Sequence, residues 1–161
     1  MKLPFPHHYC IDTSALIDLK FLYSPNTFLS LWRDIEKLVE NKQLISPQQV
    51  FEELNEYEDK EDILLNWVKK HKKMFMDLDE EQSNLVKDIL RNFSGLIDTN
   101  KSTPDADPFV IALSATEGHT VITSEKMSLP NERPRIPNVC KHYNVKCISL
   151  QELFTEQGWK Y

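Results

Sequence analysis

The sequence predicts an α/β domain built on a mostly parallel sheet that is covered by helices on both faces. Three observations predict it. Short apolar runs of strand length alternate with stretches of helical periodicity, and no strong hairpin signal joins one strand to the next. The third is length: 161 residues are enough to bury roughly two-thirds of the unfolded chain's surface, so one domain over 1–161 needs no disulfide or structural metal.

The elements follow in order. Residues 8–12 (HYCID) form a short apolar run ending in an acid, which suits a buried strand whose carboxyl end meets a cleft. Thr13 or Ser14 then caps a helix beginning at Ala15. Over 27–41, Phe28, Leu31, Trp32, Ile35, Leu38 and Val39 share one helical face. A strand is expected at 43–46, followed by a helix over 47–58 with Ser46 as cap, Pro47 in its first position and Val50, Leu54 and Tyr57 as its apolar stripe. Residues 61–73 read as a helix, 74–76 as a third strand, and 79–94 as a helix through Leu85, Val86, Ile89, Leu90 and Phe93, ended by Gly95. A polar segment at 98–107 precedes the helix that opens at Pro108, where Phe109, Ile111, Ala112 and Ala115 pack and Gly118 stops the turn. Residues 120–123 (TVIT) are a fourth strand, 126–138 a loop with three prolines, 139–143 a short helix, 145–148 a fifth strand, and a last helix begins at Leu150.

Composition excludes several functions. The glycines, Gly95, Gly118 and Gly158, are too far apart for a dinucleotide or P-loop phosphate cradle. A net charge of −6 argues against a protein held to nucleic acid by overall charge, although a local basic patch still can do so. Cys10, Cys140 and Cys147 form no C-x-x-C pair, so thiolate-held zinc is not expected and a reducing compartment is. The N-terminal stretch lacks the apolar run of a signal peptide, and no stretch is long enough to span a bilayer. A cytoplasmic protein with no membrane partner is the expectation.

Open parallel sheets bind ligands beyond the carboxyl ends of their strands. Asp12 and Glu125 fall at such ends, while Glu53 and Asp107 lie near the starts of helices that follow other loops. Four carboxylates converging on one cleft repel one another until cations neutralise them, and such oxygen ligands suit Mg²⁺ or Mn²⁺ rather than zinc or copper. Each acid also has a plainer reading. Glu52 and Glu56 compete with Glu53; Asp107 serves equally as a cap ahead of Pro108, with Asp105 as the ligand instead; Glu125 alone is an ordinary capping acid. Asp12 is the least incidental, because an acid directly after an apolar strand is costly unless paired or metal-bound.

At these residues the chain resembles a known family. CIDTSALIDL at 10–19, Glu53-Leu54, DADPFVIALSA at 105–115 and VITSE at 121–125 look like the successive acidic motifs of the PIN-domain superfamily. The likeness is nearest to poorly characterised bacterial and archaeal PIN-like proteins related to the toxin ribonucleases of toxin–antitoxin pairs, in which RIPNVC (135–140) also tends to recur. It runs from Tyr9 to Leu153, and the order and spacing of the motifs carry it rather than any one of them. The resemblance implies a single three-layer PIN-like domain with a five-stranded sheet in the order 3-2-1-4-5, divalent-metal binding and RNA cleavage. It carries the catalytic and metal-binding roles onto Asp12, Glu53, Asp107 and Glu125, with Thr123 or Ser124 as the hydroxyl before the last acid and Thr13 or Ser14 near Asp12. Glu at 125 departs from the more usual Asp.

On this reading Mg²⁺ (or Mn²⁺) activates water and stabilises the departing oxygen of a phosphodiester. No histidine is placed as a general base. Positive charge for the RNA backbone is expected from 126–146, where Lys126, Arg133, Arg135, Lys141 and Lys146 outnumber Glu132. Lys69, Lys70, Lys72 and Lys73 form a second basic candidate that a solvated helix face also explains, whereas 51–62 is acidic. The implied partners are RNA, a small antitoxin protein and, through helices near 27–57, a second copy of the chain. The competing reading is a catalytically weak or inactive PIN-like module that binds RNA or protein. A phosphatase or flap nuclease is a further enzymatic alternative, without a visible arch or clamp segment.

Overall fold

The computed structural model describes residues 7–97 and 105–161, apart from the side chain of Tyr57. The expected polar segment at 98–107 therefore lies outside the described residues up to position 104, as does Tyr57's place on its helical stripe.

Five strands, β1 (Tyr9–Ile11), β2 (Leu44–Pro47), β3 (Phe75–Met76), β4 (Thr120–Ile122) and β5 (Cys147–Ile148), form one sheet in the order β3-β2-β1-β4-β5. Every neighbouring pair is parallel, with Tyr9 opposite both Leu44 and Thr120. The order and direction are those expected. β1 is central and its three residues are wholly buried, which is why YCI carries no polar alternation.

Among the described residues eight α-helices complete three layers: α1 (Thr13–Leu22), α2 (Leu29–Glu40), α3 (Gln48–Tyr57), α4 (Ile63–Lys70), α5 (Glu80–Asn92), α6 (Asp107–Glu117), α7 (Ile136–His142) and α8 (Leu150–Gln157). α6 lies against β1, β2 and β4 and is covered in turn by α5 and α7. It is therefore buried nearly all round, from Val110 to Ser114, rather than along the stripe its periodicity suggested. α1, α3 and α4 pack together, tied by Lys20, whose ammonium donates to Glu58 (3.1 Å) and Asp62 (2.9 Å).

Helix starts differ from expectation in instructive ways. The cap of α1 is Asp12 rather than Thr13 or Ser14: the strand ends at Ile11, and the Asp12 carboxylate accepts from Ala15 N–H at 2.8 Å. Ser46 does not cap α3; its hydroxyl donates to the Ile11 carbonyl (2.7 Å), and Pro47 ends β2 instead of opening the helix. Asp107 is the first helical residue of α6, with Ala106 in the cap position, so it is not a cap ahead of Pro108. α7 begins at Ile136, inside the expected loop, because a proline in the first turn, here Pro137, forfeits no helical hydrogen bond. α5 ends at Asn92, and Gly95 belongs to a short 3₁₀ turn, Ser94–Leu96. A β-carbon at Gly95 would meet Pro134 Cδ at 3.2 Å, so the glycine lets the 131–135 loop seat there. Among the described residues no helix is long and apolar enough to cross a membrane.

Candidate active site

The carboxyl ends of β1 and β4 open onto a cleft of about 380 Å³ whose walls include five carboxylates, Asp12, Glu53, Asp105, Asp107 and Glu125. All four acids singled out in the sequence are thus brought to one place, together with the alternative, Asp105. Thr13, Ser14 and Arg133 share the walls, and among the described residues no histidine does.

Asp12 is the most enclosed, at 2% exposure. Its Oδ1 accepts from Ala15 N–H and from the Ser14 hydroxyl (2.9 Å), and its Oδ2 accepts from the Thr123 hydroxyl (2.5 Å). Burial pushes its pKa up to about 7; the bonds from Thr123, Ala15 and Ser14 pull the other way, and the charge of Glu125 adds to the rise. Ser14 joins two strand ends, since its oxygen also accepts from Ser124 N–H (3.1 Å). Thr123 is therefore the hydroxyl that reaches the acids, while Ser124 contributes only backbone.

Glu53 enters from α3, where Val50 and Leu54 turn its face inward; it is 7% exposed, whereas Glu52 and Glu56 are exposed. Its Oε1 accepts from the Thr13 hydroxyl (3.1 Å) and from Ala106 N–H (3.2 Å). Asp107 stands at the start of α6 with its pKa pushed up to about 9, by burial first and then by the charges of Asp105, Glu125, Asp12 and Glu53. Glu125 directs Oε2 to Ile136 N–H (3.0 Å), which ties it to the start of α7. Among the described residues no three or more His, Cys, Asp or Glu side chains are grouped so as to hold a metal ion.

Arg133 is the wall residue whose place sequence reasoning missed. In the sequence it belongs to the basic stretch after Glu125; in the fold its guanidinium donates to the carbonyls of Gly95 and Leu96, and the side chain borders the acids. Of the other cations in that stretch, Lys146 is taken by Glu156 (2.6 Å), and Lys126, Arg135 and Lys141 are exposed. The histidines are elsewhere: His71 stacks on Trp67 (4.3 Å) and His8 meets His119 edge-on (5.4 Å).

Comparison with known proteins decides the family. The model of the family described as "Domain of unknown function (DUF4411)" matches residues 9–161. The chain belongs to the DUF4411 family. No curated protein matches it. Among solved structures, a chain of VapBC2 from Rickettsia felis, crystallised bound to a DNA fragment from their promoter, is similar to this DUF4411 chain with a TM-score of 0.52 and 14% identity, covering 88% of this chain and 97% of that one. PAE2754 from Pyrobaculum aerophilum is similar with a TM-score of 0.52 and 13% identity, covering 95% of this chain and 90% of that one. At such identities the likeness is one of fold. It is a distant structural relationship.

Proposed function

We propose that the chain is a divalent-metal-dependent endoribonuclease that hydrolyses RNA phosphodiester bonds at Asp12, Glu53, Asp107 and Glu125, with Asp105 beside them. The observation that carries this reading is the convergence of five carboxylates on one cleft at the carboxyl ends of β1 and β4. Carboxylate and hydroxyl oxygens without histidine or cysteine are the donor set that fits Mg²⁺ or Mn²⁺. When bound there, such an ion supplies an activated water and charge stabilisation at the departing oxygen.

The chain's own groups do the positioning. Ser14, Thr123 and Ala15 N–H hold both oxygens of Asp12 in one orientation. Thr13 and Ala106 N–H fix one oxygen of Glu53, and Ile136 N–H fixes one oxygen of Glu125. Arg133 sets a positive charge in the acidic wall, which lessens its repulsion of a phosphate. The exposed Lys126 and Arg135 supply backbone contacts for RNA.

The likeness to VapBC2 supports a protein partner that holds the nuclease in check, as an antitoxin does. Self-association through helices near 27–57 belongs to the same reading, with light scattering of the purified protein as its test. One observation favours a second reading, a catalytically inactive module that binds RNA or protein: both oxygens of Asp12 are already engaged by protein donors.

Calorimetric titration with Mn²⁺, beside cleavage of RNA, separates the two. The wild type is expected to bind Mn²⁺ and to cleave only in its presence, and Asp12→Asn to lose both. Growth arrest on overexpression, relieved by Asp12→Asn, is the expectation in cells. A wild type that binds no divalent ion, or an Asp12→Asn variant with unchanged Mn²⁺ affinity and cleavage, overturns the nuclease reading.

A further inference from the structure

A second cleft, of about 530 Å³, lies beside the acidic one and shares the Glu125 wall with it. It opens between the end of α1, the segment after β4 and the start of α8, and its volume falls within the roughly 300–1,000 Å³ of small-ligand sites. We propose that it holds one unpaired nucleobase of an RNA strand whose adjoining phosphate lies at Glu125, with preference for bases that carry an exocyclic amino group. This rests on the nuclease reading and names the subsite that reading lacks.

Three features carry the proposal. First, Leu22 and Met127 line the cleft while 57% and 52% exposed, an apolar surface that no described residue covers. A flat heteroaromatic ring suits it, and a thioether sulfur makes favourable contacts with such rings. Second, the polar wall accepts hydrogen bonds rather than attracting anions. Asp18, Glu125 and Glu152 face it against one cation among the described residues, Lys126, so a phosphate is repelled from the interior while a base is not. Third, Asp18 is half-buried in α1 and has no hydrogen-bond or ion-pair partner among the described residues. Carboxylates recognise the exocyclic amino group of cytosine, and the amide of Gln151 at the same rim recognises adenine edges. Uracil offers no such amino group. The shared wall at Glu125 favours an RNA base over a protein side chain as occupant, because a strand seated at the acids must pass its next base over this opening.

The test is fluorescence anisotropy with a labelled single-stranded hexa-adenylate in Ca²⁺, read as binding and therefore independent of cleavage. Leu22→Ala/Met127→Ala is expected to weaken binding about tenfold, the scale of losing one base contact, and to leave unchanged the binding of a ribose-phosphate strand of equal length without bases. Asp18→Asn is expected to narrow the preference for adenylate over uridylate several-fold. Because Leu22 and Met127 are both more than half exposed, their truncation leaves the core intact. Equal binding by wild type and double variant overturns the proposal and leaves the cleft to a protein partner. Equal losses on the baseless strand, or no binding of adenylate by the wild type, overturn it as well. Failure of Mn²⁺-dependent cleavage, measured separately, tells against the nuclease reading and is distinguishable from all of these.

Discussion

Replacing Asp12 by Asn is expected to make the metal-free protein respond differently to pH. Burial raises the Asp12 pKa from 3.8 to about 7, so the folded state holds this proton more tightly than the unfolded chain does. Between those two values the native state binds more protons, and stability falls as pH rises. The penalty begins above the unfolded value and is complete above about pH 7, where roughly three units correspond to about 4 kcal/mol. Between pH 5 and pH 8 the wild type should therefore lose about 2 to 3 kcal/mol that Asp12→Asn does not lose. The substitution also removes an acceptor for Ser14 or Thr123, at about 1–3 kcal/mol, but that cost does not vary with pH in this range. The slope, not the offset, is thus the readout. Urea unfolding in EDTA at pH 5, 6, 7 and 8 measures it. Parallel stability curves for the two proteins would refute the claim that this carboxylate is held ionised at a cost.

Other outcomes are expected of the same fold. Glu125→Gln keeps an acceptor for Ile136 N–H, so its unfolding midpoint in EDTA should stay near that of the wild type while Mn²⁺ affinity measured by calorimetry falls at least tenfold. Lys20→Met leaves Glu58 and Asp62 without their shared ammonium and should cost about 1–3 kcal/mol at pH 7 by urea unfolding. Although partial burial opposes it, Lys20 holds the Asp62 pKa below 3.8, so that contribution is fully present above 3.8 and is lost as pH falls through the lowered value; the two proteins should converge as pH falls below 3.8. Gly118 closes α6 at φ +70°, and Gly118→Ala should lower stability by about 1 kcal/mol in a thermal melt, with metal binding intact.

The sheet was legible because its signal is local and repeated: apolar triplets such as YCI and TVI are too short and too uniform for anything but buried parallel strands. Asp12 and Glu125 were legible because each follows such a strand, and Asp107 because it lies where a helix opens. What escaped had its cause far along the chain. Arg133 borders the acids because two carbonyls of the 94–96 turn receive its guanidinium, and nothing near residue 133 announces that turn. Ser46 resembles a helix cap, yet the carbonyl of Ile11, 35 residues earlier, takes its hydroxyl. The prolines of 130–137 concealed the start of α7, since composition alone does not separate a proline that breaks a helix from one that opens it. The resemblance pointed to Glu53 while Glu52 and Glu56 competed with it in the sequence; burial separates the three, and burial depends on how α3 lies against the sheet.

The bond from Ala15 N–H to Asp12 makes the first turn of α1 an internal spectrometer. A positive helix end and a buried acid share one proton there, so any cation drawn to the acid competes with that amide for the oxygen's electron density. In a ¹⁵N-labelled sample the Ala15 resonance should move on addition of Mg²⁺ or on a change of pH, before any RNA is present. A single backbone peak would then report the charge at the heart of the cleft and allow ligands to be screened without a known substrate.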